Sequence, residues 1–284
     1  MLVVRTVPEL REAILKRRVA GDSVGFVPTM GFLHEGQLSL VRAARAQDGC
    51  VVVSCFVNPT AFPDLSELES YPHDEGRDIA LLERELADIV FLPDVRAMYP
   101  PGDVTRVTVE GLTRRLEGAS RPGYLDGLTT AMMKLLHLAG AARVYLGQKD
   151  AQRVVVVRRM LSDLFVNVEL VVCPTVRDPD GVALSAANRE LSIEERHAAS
   201  CLFAALEAAR KAYERGERSA EVLRARMTEL IGGEPMARLD YASVADAYSL
   251  DELQRVTGPA LALLAVWIGR TRLTDCLPLA WDVA

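Results

Sequence analysis

Along the first 173 residues, short apolar runs alternate with stretches whose apolar positions recur every three or four residues. The runs are Val24 to Val27, Cys50 to Val57, Ile89 to Leu92, Arg143 to Leu146 and Val168 to Cys173, rich in β-branched side chains. Each reads as a buried parallel strand. Between them, Gln37 to Gln47, Arg77 to Leu86 (Ile79, Leu82 and Leu86 on one face) and Leu128 to Leu138 carry helical periodicity. This alternation predicts a doubly wound parallel α/β sheet, in which ligands bind beyond the C-terminal ends of the strands. After Pro174 the texture changes. A polar loop, Arg177 to Asn188, leads to Ala/Glu/Arg-rich helices around Ile193 to Arg215 and Ala220 to Ile231, then to strands at Leu239 to Val244 and Ala260 to Gly269. A smaller α+β domain is predicted there, dividing the chain into 1–173 and 174–284.

Composition narrows the function classes. The chain has 284 residues, half of them apolar, enough for one large core or two modest ones. Its charge of −6, from 39 acidic and 33 basic residues without long like-charge runs, gives no footprint for nucleic acid or an anionic membrane. Small-molecule chemistry is the better expectation. No apolar stretch is long enough to span a bilayer, and Met1 to Arg5 lacks the layout of a signal peptide, so the sequence reads as cytoplasmic. Five cysteines with no C-x-x-C pair and no histidine at ligand spacing point to reduced thiols, with no structural metal site.

The chemically loaded residues fall after predicted strands. Pro28-Thr29-Met30-Gly31-Phe32-Leu33-His34-Glu35-Gly36 turns through glycines into a helix, placing His34 at the helix mouth, where unpaired N–H groups and a partial positive charge favour anions. Gly36 keeps that approach clear. The alternative is that His34 simply caps the helix. Asn58 follows the second run and Lys149 the fourth, while Ser185 and Asn188 lie in the polar loop. The chain contains no G-x-x-x-x-G-K-[ST], no G-x-G-x-x-G and no G-x-S-x-G, which removes the P-loop, the dinucleotide fingerprint and the serine-hydrolase elbow.

Taken together, V-P-T-M-G-F-L-H-E-G-Q-L from Val27, S-C-F-V-N-P at Ser54 to Pro59, Tyr71-Pro72, Met98-Tyr99-Pro100, Glu117 to Gly123, Gly147 to Asp150 and Pro174 to Arg177 resemble the pantothenate synthetase (pantoate–β-alanine ligase) family over nearly the whole chain. The resemblance implies a Rossmann-like, adenylyltransferase-type first domain and a smaller lid-like second one. It implies an ATP-dependent, AMP-forming ligase in which pantoate forms an acyl adenylate and β-alanine then displaces AMP. It implies His34 and Lys149 as catalytic, with Gln37 at a family histidine position. ATP would meet Met30, His34, Gly36, Gly147, Lys149, Asp150, Val176, Leu184 and Ser185, with Mg2+ on the triphosphate. Asn58, Ala61 and Arg153 would face the acid, and the family suggests a homodimer.

The chain departs from the family pattern at several of these places. Gln37 replaces the second histidine of H-x-G-H, Ala61 and Arg153 replace glutamines, and Leu184-Ser185-Ala186-Ala187-Asn188 replaces M-S-S-R-N. A hydrogen bond to a charged group is worth roughly 1.5–3 kcal/mol, so such losses bear on rate. Three readings stay open: a pantoate ligase with rebuilt contacts, a ligase of the same type for another acid, and a nucleotide-binding paralogue impaired in catalysis.

Overall fold

The computed structural model describes residues 1–62, 68–69 and 71–281. Two compact units divide the chain, Met1–Gly147 with Val156–Cys173, and Gln148–Val155 with Pro174–Ala284. The segment carrying Lys149 therefore belongs to the second unit.

The first unit is built on β1 (Leu2–Val4), β2 (Val24–Thr29), β3 (Cys50–Cys55), β4 (Ile89–Phe91), β5 (Arg143–Gly147) and β6 (Glu169–Cys173). All pairings are parallel, in the order β1-β4-β3-β2-β5-β6. The chain winds from β2 through β3 to β4 on one side, then returns to lay β5 and β6 on the other. The direction of winding thus reverses between β2 and β5, the topological switch point at which open α/β sheets bind ligands. Helices α1 (Val7–Val19), α2 (Glu35–Gln47), α3 (Glu75–Arg84), α4 (Tyr124–Ala139) and α5 (Ala151–Asp163) accompany the strands. One apolar cluster joins Val27, Leu33, Leu38, Val41, Val51, Val53, Leu82, Val90 and Tyr145. The doubly wound, Rossmann-like sheet read from the sequence is present.

In the second unit β7 (Ala237–Asp246), β8 (Ala260–Ile268) and β9 (Thr271–Pro278) form an antiparallel sheet, with β8 central. Against it pack α6 (Ser200–Glu214) and α7 (Ala220–Gly232), and Ala205, Ala209, Ala220, Leu206, Leu223, Met227 and Ile231 share a core with Val266, Ile268 and Leu273. Small alanines let helix and sheet approach closely. This is the smaller α+β part expected from the sequence.

β1, α1 and β9 are among the elements that escaped the sequence pattern. β1 is too short to show a period. In α1 the exposed Leu15 and Val19 blur the apolar stripe, although Thr6 and Glu9 form a reciprocal N-terminal cap. β9 interleaves Arg272, Thr274 and Asp275 with its apolar residues, which hides the strand.

Close packing on β2 supplies a test. Asp48 is buried, accepting the Tyr145 hydroxyl at 2.6 Å and the Arg143 guanidinium at 2.8 Å, and it fills the space over Gly25. Burial, then the Asp48 carboxylate, push the Tyr145 hydroxyl up from its ordinary value. A Cβ on Gly25 would lie 2.4 Å from Asp48 Oδ2, whereas one on Gly76 in α3 would meet nothing within 4 Å. In chemical denaturation Gly25→Ala is expected to lose about 1–3 kcal/mol through overpacking. Gly76→Ala should gain up to about 1 kcal/mol by stiffening the unfolded chain; equal effects at both sites would contradict this packing.

Candidate functional site

The turn after β2 is shaped by a carboxylate from another element. Gly31 and Phe32 both take left-handed backbone conformations, with φ of 78° and 50°. For phenylalanine this conformation is costly and needs compensation from its surroundings. Asp78 on α3 provides it, accepting Phe32 N–H at 2.6 Å and Leu33 N–H at 2.8 Å, while the Arg77 guanidinium stacks 4.9 Å from the Phe32 ring. Burial pushes the Asp78 carboxyl up from the usual carboxylate range, opposed by those two donors.

The turn delivers His34 to the N-cap of α2. Its Nδ1 accepts Gly36 N–H at 3.1 Å, and its own N–H donates to Gln37 Oε1 at 2.9 Å. An accepting Nδ1 leaves the ring hydrogen on Nε2 in this geometry. The amides of Gln37 and Leu38 are bonded to the His34 carbonyl. The helix mouth is therefore already capped by the chain itself, with the positive end of the helix dipole behind it. Gln37, read from sequence as a lost charge, has its side-chain oxygen committed to this cap. Met30 and Gly36 flank the turn, half-buried, and Gly147 ends the neighbouring β5.

Asn58 follows β3 and is 5% exposed. Its Oδ1 accepts from Thr60 N–H at 3.2 Å, Thr60 Oγ1 at 2.8 Å and the Tyr99 hydroxyl at 2.9 Å, and its Nδ2 donates to Gly127 O at 3.0 Å. Those donors orient the amide, so only the second Nδ2 hydrogen remains to meet another group. Gly127 is required there: a Cβ would sit 2.4 Å from Thr60 O. Ala61 is buried in the 3-10 turn Pro59–Ala61, with the Arg121 guanidinium 3.5 Å from its carbonyl oxygen.

In the second unit, Lys149 and Ser185 come together. With Asn188, Arg272, Thr274 and Asp275 they line a small polar cleft of about 60 Å³. The Lys149 ammonium reaches Thr274 Oγ1 at 3.4 Å and stands 3.7 Å from Asp150. Arg153 takes Asp150 more closely, at 3.0 Å. Val176 accepts Leu184 N–H at 3.0 Å across the polar loop, and Ser185 Oγ caps the next turn by accepting from Ala187 N–H. Arg177 holds Asp275 with two bonds, at 2.6 and 2.9 Å. The other histidines, His73, His137 and His197, are exposed. Sequence reasoning gave no role to Asp78, Tyr99 or Arg272. An acid within an amphipathic helix reads as solvent-facing, Tyr99 lay inside a quoted motif with no function attached, and Arg272 sits in the unrecognised β9.

Among the described residues no three His, Cys, Asp or Glu side chains gather as a metal site, and no helix is long and apolar enough to cross a membrane. All five cysteines are free thiols, with burial pushing Cys55 and Cys276 up to about 12.

A parallel sheet with its polar turn at the switch point, joined to a small antiparallel unit, defines a Rossmann-like α/β protein. The family described as Pantoate-beta-alanine ligase matches residues 2–278. Pantothenate synthetase of Roseiflexus sp. (strain RS-1) is 52% identical over 275 residues, covering 97% of this chain and 98% of the relative; that of Chloroflexus aurantiacus (strain ATCC 29366 / DSM 635 / J-10-fl) is 49% identical over 276 residues, with 97% of each covered. Crystalline pantothenate synthetase from Thermus thermophilus superposes with a TM-score of 0.93 at 42% identity, over 99% of this chain and 100% of that one. Pantoate-beta-alanine ligase from Francisella tularensis, complexed with beta-gamma ATP and beta-alanine, gives 0.80 at 30% identity over the full length of both. The chain belongs to the pantoate-beta-alanine ligase family.

Asp78 is the testable keystone of the first unit's turn. Asparagine there has one accepting oxygen for two N–H donors, so Asp78→Asn should cost about 1–3 kcal/mol. The raised carboxyl also fixes a pH sign. The proton-linked part of its contribution to stability is fully present below the ordinary carboxylate range and is lost as pH rises through the raised folded value, while the two backbone bonds persist. In acid-range denaturation, wild-type stability relative to Asp78→Asn should fall as pH rises across that window; a difference that grows would contradict the assignment.

Proposed function

We propose that this chain joins pantoate to β-alanine at the expense of ATP, through a pantoyl adenylate. The observation that carries this reading is family membership extending from residue 2 to residue 278. ATP would enter with magnesium, which would supply neutralising charge to the triphosphate. A pantoate carboxylate oxygen attacks the α-phosphorus as the bond to pyrophosphate breaks. The β-alanine amine then attacks the acyl carbon, the carbon–oxygen bond to AMP breaks, and the amine's proton leaves with solvent.

Such chemistry needs alignment of reactants and donors for charge spreading over phosphate oxygens, not a protein nucleophile. We assign His34 Nε2–H and the Lys149 ammonium to that task, with Gly36 leaving room for the phosphates. Met30, Gly147, Asp150, Val176, Leu184 and Ser185 are assigned to the nucleotide. Asn58 is assigned to the acid through its second amide hydrogen, with Ala61 and Arg153 at the altered positions. Arg153 is bound to Asp150, an arrangement that favours pantoate over a more acidic substrate. The division at 1–173 and 174–284 rests on the change of texture after Pro174 and the cytoplasmic location on the sequence reading; the nucleotide- and acid-binding and lid-like roles of the two parts, and the homodimer, are carried from the family resemblance.

Purified protein with ATP, magnesium, pantoate and β-alanine should release AMP only when both organic substrates are present. AMP release with another carboxylate but not pantoate, or ATP binding without turnover of any acid, would overturn the reading. Lys149→Ala should lower kcat by about 10²–10³-fold with the thermal transition intact, the scale of losing one charge-stabilising donor. Near-normal turnover would remove Lys149 from the site.

A further inference from the structure

The Asn58 amide is set by two groups that cannot change role. Thr60 N–H can only donate and the Gly127 carbonyl can only accept, so the first fixes Oδ1 at 3.2 Å and the second fixes Nδ2 at 3.0 Å. A flipped amide would turn its oxygen onto the Gly127 carbonyl. Two hydroxyls then fill Oδ1, from Thr60 at 2.8 Å and from Tyr99 at 2.9 Å. An amide oxygen has two lone pairs, and here three donors share them. Asn58 therefore meets a ligand as a donor and not as an acceptor.

The Tyr99 hydroxyl comes from 41 residues away, and its ring is seated by a cation. Tyr99 follows the short helix Val95–Met98, with its N–H on Val95 O at 2.7 Å. Lys134 Nζ lies 4.3 Å from the centre of the ring and donates to Met98 O at 2.9 Å. Asp103, 2.9 Å from that ammonium, balances its charge and also takes Arg106 at 3.0 Å. With 25% of the Lys134 side chain exposed, the cation–π contact is partly desolvated and stronger than one at the surface. Lys134 stands seven residues after Gly127 on α4, which at 3.6 residues per turn puts both on one face. That face fixes both ends of the Asn58 amide, Nδ2 directly through Gly127 and Oδ1 through Tyr99.

We propose that Tyr99, seated by Lys134, is a positioning residue for the acid, holding Asn58 as a hydrogen-bond donor to the oxygens of pantoate. The inference rests on the assignment of Asn58 to the acid in the reading above, and it deepens that reading with two residues to which it gives no role. Without the Tyr99 hydroxyl, Oδ1 keeps its Thr60 donors, so the amide is loosened and not released. The opposing view is that Lys134 and Tyr99 only pack the 95–103 segment against α4. That view predicts lost stability with no preference among substrates.

The test is steady-state kinetics of the full chain. In Tyr99→Phe, KM for pantoate should rise about three- to tenfold, the range for one neutral hydrogen bond, with KM for ATP and β-alanine within about twofold of wild type. Lys134→Met should act in the same direction, and Lys134→Arg, which keeps a cation over the ring, should restore the wild-type value within about twofold. In an Asn58→Ala background, Tyr99→Phe should have no further effect on kcat/KM for pantoate. A second readout needs no turnover: by NMR, hydrogen exchange of the Asn58 side-chain amide should quicken about three- to tenfold in Tyr99→Phe while the backbone amides of β2 and β3 stay protected. Unchanged KM for pantoate in Tyr99→Phe, equal losses for all three substrates, a Tyr99→Phe effect that persists in full without Asn58, or unaltered exchange of the Asn58 amide would overturn the proposal. If Asn58→Ala is inactive, the amide exchange decides in its place; if Tyr99→Phe does not fold, the two Lys134 variants decide by the same criteria. A loosened Asn58 amide in Tyr99→Phe without AMP formation from pantoate and β-alanine would leave Tyr99 as the residue that orients Asn58 and remove the pantoate reading. AMP formation with KM for pantoate indifferent to Tyr99 would do the reverse.

Discussion

The backbone N–H groups of Phe32 and Leu33 are turned toward Asp78, and the first unit's candidate chemistry depends on that grip. A phenylalanine with positive φ would ordinarily relax. Bonds from both amides to one buried carboxylate outweigh the strain, and the conformation they enforce brings His34 to the helix N-cap. The cost is a carboxylate kept away from water, visible in its raised pKa. One interaction thus links helix α3, the turn after β2 and the orientation of an imidazole.

The same pattern recurs at His34, Gln37 and Asn58, whose accepting atoms are used by the protein itself: His34 Nδ1, Gln37 Oε1 and Asn58 Oδ1 all accept internal bonds. Pre-organised donors need little reorganisation when charge develops, the basis of electrostatic catalysis. The second unit pairs its charges likewise: Arg177, Arg153 and Arg272 each neutralise a carboxylate, and Lys149 stands 3.7 Å from Asp150.

The fold was legible where burial leaves a contiguous mark. β2, β3 and β8 are apolar almost throughout because they lie inside their sheets, and α2 and α4 carry clear stripes. β9 was hidden because an edge strand with polar residues on one face breaks the run. At the sites, motif residues could be named but not their partners: Asn58 is oriented by Tyr99 and Gly127, 41 and 69 residues away, and the turn at Phe32 by Asp78, 46 residues on. Gln37 is the clearest case of chemistry that residue type alone misrepresents. Its substitution for histidine removes a charge, yet its oxygen completes a capping box with the His34 backbone N–H.

The most direct measurement is a titration of isotopically labelled protein with magnesium–ATP, following the His34 ring nitrogens and the Gly36 amide by NMR. If the Asp78-held turn receives the phosphates, the Nε2 signal shifts with the midpoint of ATP saturation while Nδ1 keeps the shift of an unprotonated, accepting nitrogen. Signals from His34 and Gly36 that stay fixed while ATP saturates the protein would contradict that placement.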